Sequence, residues 1–245
     1  QQKLPGGMIL RIVIYALGIC LFEGLCMESV GAAWLLLPAI FLLAILVFTM
    51  VKNPGFPILG AHPTAPLPAR KALFCLPLVV VATARLWGGV TMRFDPKTTL
   101  VFMVTLFCVG CVQEILFSGL LVRILMETMP AQKAVLVCGL AFGAGHIINV
   151  TSAAGPAAIL LQCVYGAAMG IMLANFVLHT GHLWPCCLCQ GAFYALSAFA
   201  GSQPLPRQAV VCVVLVILSL GYYFWLNKAI PLSGLLAGNT KENER

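Results

Sequence analysis

Cys108-Val-Gly-Cys111-Val-Gln113-Glu114-Ile-Leu-Phe117-Ser118-Gly119-Leu-Leu-Val-Arg123 lies inside a long apolar run, yet it carries Gln113 and Glu114 at its middle. An ionised side chain in the middle of a membrane span costs about 2.5–3.5 kcal/mol even on the gentlest insertion scale. A glutamate held there is therefore read as functional. The plainer alternative is a carboxyl kept neutral, or paired, so that helices can pack.

The rest of the chain supplies the membrane context. Of 245 residues, 61% are hydrophobic and 9% are charged, against about 25% charged in soluble domains. This composition predicts an all-α, polytopic membrane protein: one membrane domain over 1–245, without a polar region large enough for a soluble one. The net charge of +7 is scattered singly near the ends of apolar runs. There it sets topology; it forms no nucleic-acid-binding stripe. Gln1 to Gly7 runs straight into an apolar segment without a small-residue cleavage site, so no cleavable signal is expected. The eleven cysteines fall almost entirely within apolar runs, where cysteine acts as a small hydrophobe, and mostly free thiols are expected.

About eight apolar runs approach the roughly 20 residues that a spanning helix needs. They cover 8–26, 31–51, 72–91, 100–126, 132–150, 155–178, 183–201 and 208–227, and predict a bundle of about eight transmembrane helices. A Pro- and Gly-rich loop, Lys52 to Lys71, joins the second and third and cannot be regular helix. Arg85 sits well inside the third run and calls for a carboxylate or carbonyl partner, with Glu23, Glu28 and Glu114 as the carboxylates at hand. Asp95-Pro96 reads as a turn. Gly166 and Gly170 on the sixth run permit a close helix contact. Tyr222, Tyr223 and Trp225 beside Lys228 read as an aromatic belt. The tail 237–245 is polar and expected to be disordered. Lys3, Arg11, Lys52, Arg70, Lys71, Arg123, Lys133, Lys228, Lys241 and Arg245 fall on one side and Arg93, Lys97 and Arg207 on the other, which predicts both termini in the cytoplasm.

Gln113 and Glu114 on the fourth run, His146 and Asn149 on the fifth, and Gln190 with Tyr194 on the seventh put polar groups inside three spans. At 1.5 Å per residue, Gln113, Glu114, His146 and Gln190 sit near mid-depth, where antiparallel neighbours can bring them together. A Glu beside a His in a dry cavity can activate water and stabilise developing charge. The competing reading of His146 is a neutral core histidine bonded to a neighbouring span.

These residues resemble the CAAX-protease and bacteriocin-processing (CPBP) family of intramembrane endopeptidases. The family's Glu-Glu-x-x-x-Arg is met here by Gln113-Glu114-Ile-Leu-Phe117-Ser118, and its Phe-x-x-x-His by Phe142 and His146. Its His-x-x-x-Asn after Leu-Trp-Pro is met by Gln190 and Tyr194 after Leu183-Trp184-Pro185. The resemblance covers about residues 100–200, a CPBP-like core. It implies a glutamate-dependent endopeptidase acting on peptide or prenylated-peptide substrates. Glu114, His146, Gln113 and Gln190 occupy the catalytic positions, and Phe142, Asn149, Tyr194 and Ser118 line the cavity. In the family the first Glu of the pair activates the water. Here it is Gln113, whose amide is no base near neutral pH. Ser118 stands for Arg, Gln190 for His and Tyr194 for Asn.

The degenerate motif sets three functions side by side. One is a membrane endopeptidase. The second is a pseudoprotease that holds a peptide, a prenylated protein or a membrane-protein partner without cutting it. The third is a small transporter, motivated by Arg85 and Glu114 within spans, although no paired broken-helix pattern accompanies them. No cofactor is assigned. Cys108 and Cys111 have C-x-x-C spacing and Cys186, Cys187 and Cys189 cluster near Gln190, so a divalent metal such as zinc is an alternative. With no second C-x-x-C, packing is the preferred reading.

Overall fold

A computed structural model of the chain describes residues 18, 21–22, 35–52, 58–60, 73–92, 94–147, 155–201 and 203–230. Among them the regular elements are all helical, apart from one isolated antiparallel bridge between Val90 and Ala200. In chain order they are α1 (Leu36–Lys52), α2 (Leu76–Ala82), α3 (Pro96–Glu114), a π-helical segment (Ile115–Leu121) that continues α3, α4 (Val122–Leu125), α5 (Ala131–Gly145), α6 (Pro156–Thr180), α7 (Trp184–Ala195) and α8 (Leu205–Ala229).

Three helices among the described residues are long and apolar enough to cross a membrane: Pro96–Leu125, Pro156–Thr180 and Leu205–Ala229. α1 and α5 are shorter, at 17 and 15 residues. Most of the first expected run and the whole of the expected disordered tail, 237–245, lie outside the described residues. The third run, expected as one span over 72–91, is broken. α2 has seven residues and is flanked by 3-10 turns at Leu73–Cys75 and Ala84–Leu86. The Thr83 hydroxyl donates back to the Val80 carbonyl at 2.8 Å, a competition with the helical ladder that bends or ends helices. Gly89, at φ +118°, then turns the chain.

α3 begins as Asp95-Pro96 foretells. Asp95 is the N-cap, its Oδ1 accepting from the backbone N–H of Lys97 at 3.0 Å and of Thr98 at 3.1 Å, and Pro96 occupies the first helical turn. The Thr98 hydroxyl and these backbone donors hold the Asp95 carboxyl below its ordinary range. A lowered folded value means that the cap's stabilisation is complete above the unfolded value and is lost as pH falls through the folded one. Asp95→Ala is therefore expected to lower the melting temperature near neutral pH. The gap should close in acid, while Asp95→Asn, which caps without titrating, should show no such pH dependence, as thermal melts across pH will read.

The π segment has visible causes. Its wider ladder leaves carbonyls open to outside donors. The Cys138 thiol of α5 donates to the Phe117 carbonyl at 3.2 Å, and the Leu59 N–H donates to the Gly119 carbonyl at 3.0 Å. Gly60, in the same short stretch 58–60, accepts from the Leu183 N–H at 3.0 Å. This piece of the Pro/Gly-rich loop thus pins the π segment to the start of α7. Gly119 leaves it room, since a Cβ there would lie 2.7 Å from Ile58 Cγ2.

α5 and α6 meet through glycines on both helices. A Cβ on Gly139 would lie 2.6 Å from the Ile171 backbone nitrogen, and one on Gly143 2.4 Å from the Cys163 carbonyl oxygen. Gly170 approaches Gly139 in return, its own Cβ position 3.0 Å from the Gly139 Cα. α6 ends at Gly181 in the left-handed conformation (φ 71°), and Pro185 sits in the first turn of α7. α8 carries the aromatic cluster, but its members divide. Tyr222 is buried and donates to the Phe74 carbonyl at 2.7 Å, while Phe224 and Trp225 are exposed. The described cysteines are all free thiols. Large apolar side chains on the outer faces, such as Phe41, Leu140 and Ile217, are exposed in the way a lipid-facing surface requires.

Candidate functional site

The end of α3 and the π segment set Gln113, Glu114 and Ser118 inward; the first two are 0% and 1% exposed. The Ser118 hydroxyl, four residues on, hydrogen-bonds the Glu114 carboxyl. Glu114 Oε1 has no hydrogen-bond partner among the described residues. Of the acidic side chains described there, Asp95 and Glu127 are exposed, so Glu114 is the buried carboxyl. It lies within electrostatic reach of Cys138 on α5 and of Cys186 and Cys187 on α7. Among the described residues, the thiol-rich wall around Glu114 is therefore weakly polar and offers no cation.

His146 is the C-cap of α5 and is buried. Its ring stands edge-on to Phe142, with centroids 5.4 Å apart at 87°, and Phe142 stands edge-on to Phe117 of the π segment at 5.1 Å and 90°. From the other side, Gly166 of α6 presses on it: a Cβ there would be 2.8 Å from His146 Cδ2. The intact Phe-x-x-x-His pair is thus an aromatic stack that joins α5 to the π segment, and Gly166 is what lets the imidazole sit against α6.

Gln190 reaches the same core from α7. α3 and α7 touch backbone to backbone, for a Cβ on Gly110 would lie 2.8 Å from the Gln190 carbonyl oxygen, and the Cys111 thiol donates to the Cys187 carbonyl at 3.4 Å. Gln190 Oε1 has no hydrogen-bond partner among the described residues. Tyr194, one turn later, is buried against Phe193 with centroids 5.8 Å apart. Gln113, Glu114, Ser118, Phe142, His146, Gln190 and Tyr194 are all buried, on α3, the π segment, the end of α5 and α7. Asn149 lies outside the described residues.

Two features escape a reading of the sequence. Among the described residues, Arg85 meets aromatic faces. Its guanidinium carbon lies 4.5 Å from the Phe193 ring centroid and 5.9 Å from that of Tyr165; Glu23 and Glu28 are outside the described residues. It borders a cavity of about 240 Å³ beside the core just described. The second feature is a polar clasp at the opposite end of α8. Gln132 donates to Asn227 at 3.1 Å and accepts from Tyr223 at 2.7 Å, and His179 binds the Ile230 carbonyl. The signal for both was a polar side chain inside or beside an apolar run; the partners were hidden by sequence distance. Among the described residues no three His, Cys, Asp or Glu side chains gather as metal ligands.

Comparison with known proteins adds one finding. No curated protein matches the chain. Residues 95–196 match the family model described as type II CAAX prenyl endopeptidase Rce1-like, a span that begins at the N-cap of α3 and closes just after α7. Residues 95–196, somewhat under half of the chain, are thus similar to a CAAX prenyl endopeptidase family, consistent with the CPBP family, and three helices among the described residues are apolar enough to span a bilayer.

Proposed function

We propose that the chain is a CAAX-protease-like intramembrane endopeptidase whose reaction rests on a single carboxylate, Glu114. In this reading residues 1–245 form one membrane domain of about eight spans with both termini cytoplasmic, and residues 100–200 are its working core. The substrate is a peptide or prenylated peptide. The observation that supports this is the buried Glu114 carboxyl, one oxygen of which has no partner among the described residues. Such an oxygen is disposed to take a proton from water as the water attacks a peptide carbonyl. His146 and the amides of Gln113 and Gln190 supply polar groups for the oxygen that becomes negative. Ser118 holds the carboxyl, and Phe142 and Tyr194 wall the substrate.

A second reading is favoured by the two amides. Gln113 and Gln190 stand where the family carries Glu and His, and an amide donates and accepts hydrogen bonds without exchanging a proton. In that reading the chain is a pseudoprotease that holds a peptide, a lipidated chain or a membrane-protein partner.

One assay separates the two. The chain in nanodiscs is incubated with prenylated CAAX peptides and an unprenylated panel, and cleavage is read by mass spectrometry. Beside it runs a variant carrying Gln113→Glu, Ser118→Arg, Gln190→His and Tyr194→Asn. Slow cleavage by the native chain, accelerated on the order of 100-fold or more in the variant, is expected, because restoring a positioned acid–base group is worth about 10²–10⁴. Cleavage by the variant alone establishes the pseudoprotease reading, and cleavage by neither sinks the endopeptidase one.

A further inference from the structure

The cavity of about 240 Å³ contains none of the candidate residues of the core site, yet it shares a wall with it. Tyr165, on its α6 side, is followed by Gly166, which bears on the His146 ring. Phe193, on its α7 side, is followed by the buried Tyr194. The rings of Tyr165 and Phe193 themselves meet, with centroids 6.1 Å apart.

Arg85 is the charged side chain among the residues that line this space. The aromatic rings engage its guanidinium without accepting its N–H groups in the plane. Its buried Nε has no hydrogen-bond acceptor among the described residues. A planar guanidinium fork left open in this way matches a carboxylate, which it binds through two parallel hydrogen bonds. Gln203 adds an amide whose Oε1 also lacks a partner among the described residues, and Gln208 fixes the backbone of Gln203 by donating to its carbonyl at 2.8 Å. One cation with neutral amides around it suits a monoanion. The volume sets the rest of the ligand. At roughly 30 Å³ per water, the space holds about eight waters, below the roughly 300–1,000 Å³ of sites for drug-sized molecules. That matches a carboxylate with one short apolar side chain.

We propose that this cavity is a subsite for the free C-terminal carboxylate of a peptide, held by Arg85, next to the core that contains Glu114. The identification of the ligand as a peptide rests on the function proposed above; the subsite itself is read out by binding, without cleavage.

The test uses the full chain in nanodiscs with N-acetyl-leucine, N-acetyl-leucinamide and octanoate as probes, followed by calorimetry. N-acetyl-leucine is expected to bind at least tenfold more tightly than the amide, and more tightly than octanoate. Arg85→Gln should lower its affinity at least tenfold, with Arg85→Lys intermediate. Gly88→Ala provides a second variant that leaves the charge alone. Its Cβ would lie 1.9 Å from the Gln203 amide nitrogen, so the flexible Gln203 side chain must move and the acid should bind more weakly. Equal binding of acid and amide, or affinity unchanged in both Arg85→Gln and Gly88→Ala, overturns the proposal. Tighter binding of octanoate assigns the carboxylate to a lipid and overturns the peptide source. Glu114→Gln is expected to leave probe binding intact. Probe binding by a native chain that cuts no peptide therefore counts against the endopeptidase reading alone, and cleavage by a native chain that binds no probe counts against the subsite alone.

Discussion

Glu114→Gln is expected to reduce hydrolysis of any peptide that the native chain cuts by about 10²–10⁴, the usual worth of a positioned acid–base group, without lowering the melting temperature. The two halves of this expectation have different origins. The amide keeps the shape of the carboxyl and an oxygen that the Ser118 hydroxyl can still reach, so packing and that hydrogen bond survive. It removes a group whose charged form is costly to bury and which, among the described residues, faces thiols with no cation beside it. Stability should therefore hold or rise by a few degrees; about 1 kcal/mol corresponds to roughly 2–4 °C in a chain of this size class. Peptide mass spectrometry and a thermal melt on the same preparation check both halves. Turnover that persists in Glu114→Gln removes Glu114 from the reaction. A large fall in melting temperature assigns the residue a structural role that its surroundings do not predict.

The largest structural effect is expected at Gly143. Valine there would set its Cβ 2.4 Å from the Cys163 carbonyl oxygen and 2.7 Å from the Ala167 nitrogen, both backbone atoms of α6 that cannot rotate aside. Overpacking of a core costs about 1–3 kcal/mol when side chains can yield, and a clash with helix backbone belongs at or above the top of that range. Loss of the purified, monodisperse protein, or a melting temperature lower by on the order of 10 °C, is the expected outcome. Gly18→Val is the comparison, because a Cβ at Gly18 meets nothing within 4 Å among the described residues. Equal melting of the two variants would mean that α5 and α6 do not approach as closely as described.

What the sequence discloses follows the kind of force involved. Hydropathy reports burial directly, so the all-helical class and the inward placement of Gln113, Glu114, His146, Gln190 and Tyr194 are legible from runs and motif spacing. Close contact between helices is half legible. Gly166 and Gly170 announce a tight face on α6, but Gly139 and Gly143, its complement on α5, read as ordinary small residues until the helices are placed together. Broken helices are less legible, because the elements of 72–91 are interrupted by a threonine back-bond and glycine turns inside a continuous apolar run. Arg85 is the clearest case. Its position called for a carboxylate or carbonyl; Glu23 and Glu28 lie outside the described residues, and among those described two aromatic rings far away in sequence face it. Cation–π contact uses residues indistinguishable in composition from ordinary core aromatics.

The π-helical segment bears on how this stretch is compared with any other helix. An i→i+5 ladder winds more residues into each turn than an i→i+4 one. The stretch from Ile115 to Leu121 therefore carries surplus chain relative to a regular helix of the same height. Everything downstream, Arg123 included, keeps its bookkeeping number but arrives displaced around the axis from where an uninterrupted α-helix would put it. Removing one residue between Ile115 and Leu121 would let the ladder close as plain α-helix and restore the phase, whereas adding one elsewhere in α3 would not. The α-helical phase set at Pro96 therefore holds only as far as Glu114, and the side chains beyond it point where an uninterrupted helix would not send them.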